Sequence, residues 1–243
     1  MVGRGRGRGP RGGVGTDGGD DVEPTMGLIE KEAPSWSPVF LDILRKGDVR
    51  VAGEALRAVT NLATRSEMRR MFVDQGYIEV IVPLLGKASL LHASAWALSN
   101  LSMDDRSVMA IRNAGAIELM VPALPSASPV AQEKILWALY NLLGDDRARD
   151  IIATERGSLS TLVALLECEG EPSLLIPTID VLSVLCLNQR VAAQLGEMGV
   201  PQHFCSLLVR THLPEGAREK LCWAIIRLVV GHRMFIPFLS LSP

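Results

Sequence analysis

Trp96-Ala97-Leu98-Ser99-Asn100-Leu101 and Trp137-Ala138-Leu139-Tyr140-Asn141-Leu142 are two copies of one hexapeptide pattern. In each, a large aromatic and a carboxamide stand four residues apart. On a helix advancing ~100° per residue from Trp96, Asn100 falls near ~40°, while Leu91, Leu98 and Leu101 cluster at roughly 140–220°. In the second copy Ala131, Ile135, Leu139 and Leu142 lie opposite Trp137 and Asn141. The aliphatic stripe is the packing face of each helix, and the Trp and Asn occupy the other side. An indole facing away from the packed stripe is costly to leave in water. A partner or a neighbouring copy of the motif is therefore expected to cover it.

The two copies belong to a longer series. Aligned on Asn100, it runs Asn61, Asn100, Asn141, Val184 and Arg227, in steps of 39, 41, 43 and 43 residues. A second anchor is a glycine that introduces an amphipathic helix. Gly76, Gly115, Gly157 and Gly199 follow one another at 39, 42 and 42 residues. A period near forty, found twice independently, predicts armadillo- or HEAT-like helical repeats rather than the shorter ankyrin or tetratricopeptide units.

Each unit parses into three helices. In the clearest one, a short helix over Arg106–Asn113 ends where Gly115 supplies a left-handed cap. A second helix covers Ile117–Leu124, and a turn through Pro125, Ser126 and Pro129 stops it. The third and longest helix, Val130–Leu143, carries Trp137 and Asn141. Pro83 and Pro122 fall late in the second helices, where a proline kinks a helix or ends it early. One such unit cannot bury both faces of its helices, whereas stacked units form a continuous core. About five units are expected, the first lacking its short helix and starting at Pro38-Val39-Phe40-Leu41.

Composition agrees. The 243 residues are 48% hydrophobic but only 5% aromatic, as suits a large helical core, and the net charge of −2 gives no whole-chain argument for nucleic acid or an anionic membrane. The start of the chain has no apolar signal-like region, and the apolar runs are broken by charge well short of the ~20 residues of a membrane span. Residues 1–34 read as a disordered tail, with Arg-Gly alternation from Gly3 to Gly9 and an acidic patch at Asp17, Asp20, Asp21 and Glu23. Arg-Gly alternation is also a pattern of weak RNA association and of arginine methylation. The four cysteines, Cys168, Cys186, Cys205 and Cys222, lack metal spacing and sit in apolar runs, which reads as buried free thiols. The histidines are scattered, and no phosphate loop, nucleophile elbow or paired carboxylates appear, so neither an enzyme nor a cofactor or metal site is expected.

Ser94 through Leu101, Gln132 through Asn141 with Gly144-Asp145, and Cys222-Trp223-Ala224-Ile225 resemble third helices of the armadillo repeat family, most of all its importin-α members. The similarity covers about residues 36 to 230. The resemblance implies an all-α, right-handed solenoid over residues 35–243. It also implies an adaptor, present in cytoplasm and nucleus, that binds Lys/Arg-rich nuclear localisation segments of cargo proteins. In that family the third helices line a concave groove. Carried over, Trp96 and Trp137 hold the positions that clamp the aliphatic stems of Lys or Arg. Asn100 and Asn141 hold those that bond the peptide backbone, and Asp145 the one that pairs with a key lysine.

The chemistry is sound on its own terms, because an indole face attracts a cation and a carboxamide matches the N–H and C=O of an extended chain. Helices stacked ~8–10 Å apart match about three peptide residues rising ~3.3 Å each. Other rungs depart from the pattern. The first keeps Asn61 but has Arg57 for the Trp, the fourth has Asp180 and Val184, and the fifth keeps Trp223 but has Arg227. The tail is unlike the Lys/Arg-rich helix that engages importin-β in that family, so the resemblance does not extend to importin-β. Asp104-Asp105 and Asp145-Asp146 follow third helices, where acids oppose the helix dipole. They read as caps of the next short helix, with one acid of each pair left to face the groove. The alternative to an import adaptor is a non-catalytic armadillo scaffold for another protein. An acidic groove favours the first reading and a neutral apolar one the second.

Overall fold

The computed structural model describes residues 22–167, 171–209, 213 and 216–231. The Arg-Gly stretch, Cys168, His212, His232 and residues 238–243 lie outside the described residues. Among those described, every regular element is helical. They fall into two units, one ending at Pro38 and the other starting at Val39.

Helix α1, Val22–Lys46, starts ahead of the expected tail boundary at residue 34. The Gly-rich composition gives way after Gly19, and Met, Leu, Glu, Lys and Ala lose little freedom in a helix. Pro24 falls in the first turn, where no backbone N–H is required.

Helix α2, Val49–Leu62, is the third helix of the first repeat, and the Asp48 carboxylate caps it by accepting from the N–H groups of Arg50 and Val51. Complete triplets follow. The second repeat is α3 (Ser66–Asp74), α4 (Tyr77–Ile81) and α5 (Leu91–Leu101). The third is α6 (Asp105–Asn113), α7 (Ala116–Ala123) and α8 (Pro129–Leu142). The fourth is α9 (Asp146–Thr154), α10 (Ser158–Ala164) and α11 (Pro172–Leu185). The fifth is α12 (Gln189–Glu197), α13 (Val200–Leu208) and α14 (Ala217–Gly231).

The glycine series marks the corner between first and second helices. Gly76, Gly115, Gly157 and Gly199 have φ of 77°, 79°, 86° and 76°, a left-handed conformation that costs other residues roughly 1–2 kcal/mol. Across Gly115 the chain turns by 79° between Asp105–Asn113 and Ala116–Ser126. The late prolines act as the sequence implies. Helix α4 passes at Val82 into a 3-10 turn holding Pro83, and α7 stops at Ala123, one residue after Pro122.

The third helices stack in order, α2 on α5, α5 on α8, α8 on α11 and α11 on α14. Their apolar stripes meet the second helices in one core, where Leu98, Leu101, Ile117, Met120, Ile135 and Leu139 are essentially inaccessible. Each such side chain contributes about 1.5–3 kcal/mol of burial. The chain has the armadillo solenoid fold. The cysteines differ from expectation: Cys186 is buried, but Cys205 and Cys222 are exposed. They lie off the buried stripes formed by Phe204 and Leu207 and by Leu221, Ala224 and Leu228.

Candidate functional site

Helix α5 is buried on nearly every side, and the face left over presents His92, Trp96 and Asn100. Trp96 is 37% exposed, and the His92 ring stands 5.5 Å from it, one helical turn back. On α8 the corresponding face presents Lys134, Trp137 and Asn141, all half-buried, with Tyr140 meeting Trp137 edge-on at 6.2 Å. The two hexapeptides thus lie on adjacent packed helices with their indoles and carboxamides off the core.

The carboxamides also bond within the protein. Asn100 Nδ2 donates to the backbone oxygen of Thr60 at 2.9 Å, and Asn141 Nδ2 donates to Ser102 Oγ at 2.9 Å. Each ties its helix to the rung before. A carboxamide has two N–H hydrogens and an acceptor oxygen, so one such bond does not exhaust its capacity. Arg227 occupies the same repeat position on α14 and does the same job, donating to Ser183 Oγ at 2.8 Å. Val184, the fourth member, is buried instead. At three of the five positions, Asn100, Asn141 and Arg227, the residue is therefore a donor that bridges neighbouring rungs, a role the spacing alone did not show.

Asp145 sits one turn beyond Asn141. One carboxylate oxygen caps α9, accepting from Arg147 N at 2.9 Å, and the other pairs with the guanidinium of Arg112, whose side chain is 8% exposed. Asp104 caps α6 and Asn188 caps α12 in the same way. The capping expectation therefore describes the first acid of each pair. Asn61 is exposed on α2, and Trp223 is 56% exposed on α14.

Three arginines carry more of the architecture than the sequence reading gave them. Arg69 donates to the backbone oxygens of Ala63 and Thr64 at 2.8 and 2.9 Å, closing the end of α2. Burial pulls its guanidinium below the usual arginine range, with the nearby Asp104 charge opposing that. Arg149 repeats the contact at the end of α8, reaching Leu143 O at 2.5 Å and pairing with Asp146. Both stand four residues after the capping position, a signal available in the sequence. Arg112 has no such counterpart.

The fourth and fifth rungs are joined by charge. Asp180, at the repeat position of the Trp, is 8% exposed and takes Lys220 Nζ at 2.5 Å. Burial raises its carboxyl above the usual aspartate range, while the hydrogen bond and charge of Lys220 and the charge of Arg227 pull it back. In all, the five third helices carry six Lys or Arg against four Asp or Glu. The ladder is not acidic.

These features define a divergent armadillo-repeat fold. No protein-family model matches the chain. A segment is 33% identical over 100 residues to importin subunit alpha-6 of Arabidopsis thaliana, taking up 39% of this chain, so that the chain spans 19% of that relative's length. Among solved structures, an engineered protein matches with a TM-score of 0.76 at 25% identity, over 86% of this chain and 85% of the other. A designed armadillo repeat protein in complex with the peptide (KR)4 matches with a TM-score of 0.72 at 22% identity, over 84% and 86%. A chain from a study of the interaction between cadherin and beta-catenin gives 0.73 at 18% identity, over 84% of this chain and 40% of that one.

Proposed function

We propose that this chain is an armadillo scaffold that binds an extended Lys/Arg-rich peptide along α5 and α8, in the manner of an importin-α-like adaptor for nuclear localisation segments. Trp96 and Trp137 clamp aliphatic stems, Asn100 and Asn141 hold peptide backbone with their remaining capacity, and Asn61 and Trp223 mark the outer rungs. The observation that carries the reading is the pair of partly exposed indoles on adjacent rungs, one of which already takes an ammonium: Lys134 Nζ lies 5.2 Å from the Trp96 ring centroid. The face is thus chemically competent for a cation. The segment shared with importin subunit alpha-6 and the fold shared with a designed (KR)4 binder support it. Asp145, whose two oxygens cap α9 and pair with Arg112, enters as a structural acid at the end of the groove. Work in cytoplasm and nucleus follows from this reading.

A second reading has its own observation. The excess of cations on the third helices and the closed Asp180–Lys220 rung favour a scaffold whose partner is not basic. Titration of a labelled basic peptide separates the two. The first reading expects micromolar binding that weakens with salt and is lost in Trp137→Ala/Asn141→Ala. The second expects salt-insensitive partner binding and no effect of that double change.

A further inference from the structure

The face of Trp96 is filled from within. Lys134 reaches back from α8 to place its ammonium over the indole of the preceding rung at 5.2 Å, inside the ~6 Å range of a cation–π contact. Glu133 holds the same ammonium at 3.1 Å and accepts from Trp137 Nε1 at 3.4 Å. The protein's own side chains therefore connect the two indoles in the order Trp96, Lys134, Glu133, Trp137. Lys134 and Glu133 are 20% and 28% exposed, so the contact is drawn partly out of water, where charge interactions gain weight.

The same device occurs a second time. Glu133-Lys134-Ile135-Leu136-Trp137 is matched by Glu219-Lys220-Leu221-Cys222-Trp223. Lys220 also stands three residues before its Trp, and it also reaches back one rung, 40 residues, to the residue at the preceding Trp position, here Asp180. In two repeats, then, a lysine at one repeat position occupies the slot of the rung before. The first slot offers an aromatic face and the second a carboxylate, and both are groups that would receive a basic ligand.

Resting on the peptide-binding reading above, we infer that Lys134 is a built-in occupant of the Trp96 cation slot and sets the specificity of the ladder. A peptide Lys or Arg enters this slot only by displacing Lys134. Displacement releases Glu133 to take the incoming charge, so the exchange is cation for cation at one indole and one carboxylate. The device raises the threshold for basic ligands and rejects those too weakly held to displace it.

The test is fluorescence anisotropy with a fluorescein-labelled peptide of alternating lysine and arginine, on the full chain and on Lys134→Ala. Clearing the slot is expected to tighten binding about fivefold, the size of an exposed cation–π contact. Lys87→Ala removes the same charge from an exposed turn and is expected to leave affinity unchanged. Equal binding by the full chain and Lys134→Ala, or an equal gain in Lys87→Ala, overturns the inference while leaving the peptide-binding reading in place. No binding by any of the three overturns both. A second readout needs no peptide: the Lys134 side-chain protons should be shifted upfield by the Trp96 ring current, and ordinary lysine shifts in the unliganded chain overturn the inference.

Discussion

Replacing Asp145 with asparagine separates its structural work from a ligand-binding role. The residue has two partners, the N–H of Arg147 at the start of α9 and the guanidinium of Arg112. Asparagine is as good an N-cap as aspartate, so Asp145→Asn keeps the first contact and removes only the countercharge of Arg112. Breaking a fully buried ion pair costs about 3–5 kcal/mol. Here the Arg112 side chain is 8% exposed but Asp145 is 37% exposed, so water reaches the vacated side of the guanidinium, and about 2 kcal/mol is the appropriate figure. For a domain of this size, that lowers the melting temperature by about 4–8 °C. Thermal unfolding followed by far-UV circular dichroism reads it directly. Adding Arg112→Met should recover much of the loss, because the stranded charge goes with its partner. A melting temperature within about 1 °C of the parent, together with weakened peptide binding, would refute the structural assignment and return Asp145 to the ligand.

Gly115→Ala meets no atom closer than 4.0 Å from its new Cβ but must hold φ at 79°, so urea unfolding should show a loss of about 1–2 kcal/mol from backbone strain alone; an unchanged midpoint contradicts this. Burial pushes the Cys186 thiol up to about 12, and the group donates to Leu182 O at 3.0 Å. Native alkylation read by mass spectrometry should therefore modify the exposed Cys205 and Cys222 and spare Cys186, and rapid labelling of Cys186 would contradict the packing. Because the raised Asp180 carboxyl binds its proton more tightly in the folded chain than in the unfolded one, this residue favours folding less as pH rises from its ordinary value of 3.8 through the raised one. Asp180→Asn removes that slope, so the parent should lose stability relative to the variant across this window; parallel pH curves would contradict the assignment.

The periodic features were legible because they are local. The short helix expected at Arg106–Asn113 is observed at Asp105–Asn113, and the third helix expected at Val130–Leu143 at Pro129–Leu142. Apolar spacing, proline stops and one glycine per corner are enough to set those bounds. The orientation of Trp96 and Asn100 away from the core was legible for the same reason. What the groove does with them was not. The Asn100 bond to Thr60 and the Asn141 bond to Ser102 span 40 and 39 residues, and the reach of Lys134 to Trp96 crosses from one repeat to the one before. Such contacts depend on how rungs stack rather than on spacing within one helix. The exposed Cys222 was missed because α14 carries apolar residues on both sides, with Trp223 and Ile226 outward and Leu221 and Leu228 inward. An apolar run alone does not say which side is core.

In the proposed function, α5 and α8 together hold an extended basic peptide. Its most direct test is the affinity of the full chain for a labelled Lys/Arg-rich peptide, compared with that of Trp137→Ala/Asn141→Ala. The parent is expected to bind at micromolar strength, more weakly at higher salt, and the double variant to lose at least about tenfold, roughly the combined worth of one cation–π contact and one hydrogen bond. Equal affinity in the two proteins, or no binding by the parent, would contradict it.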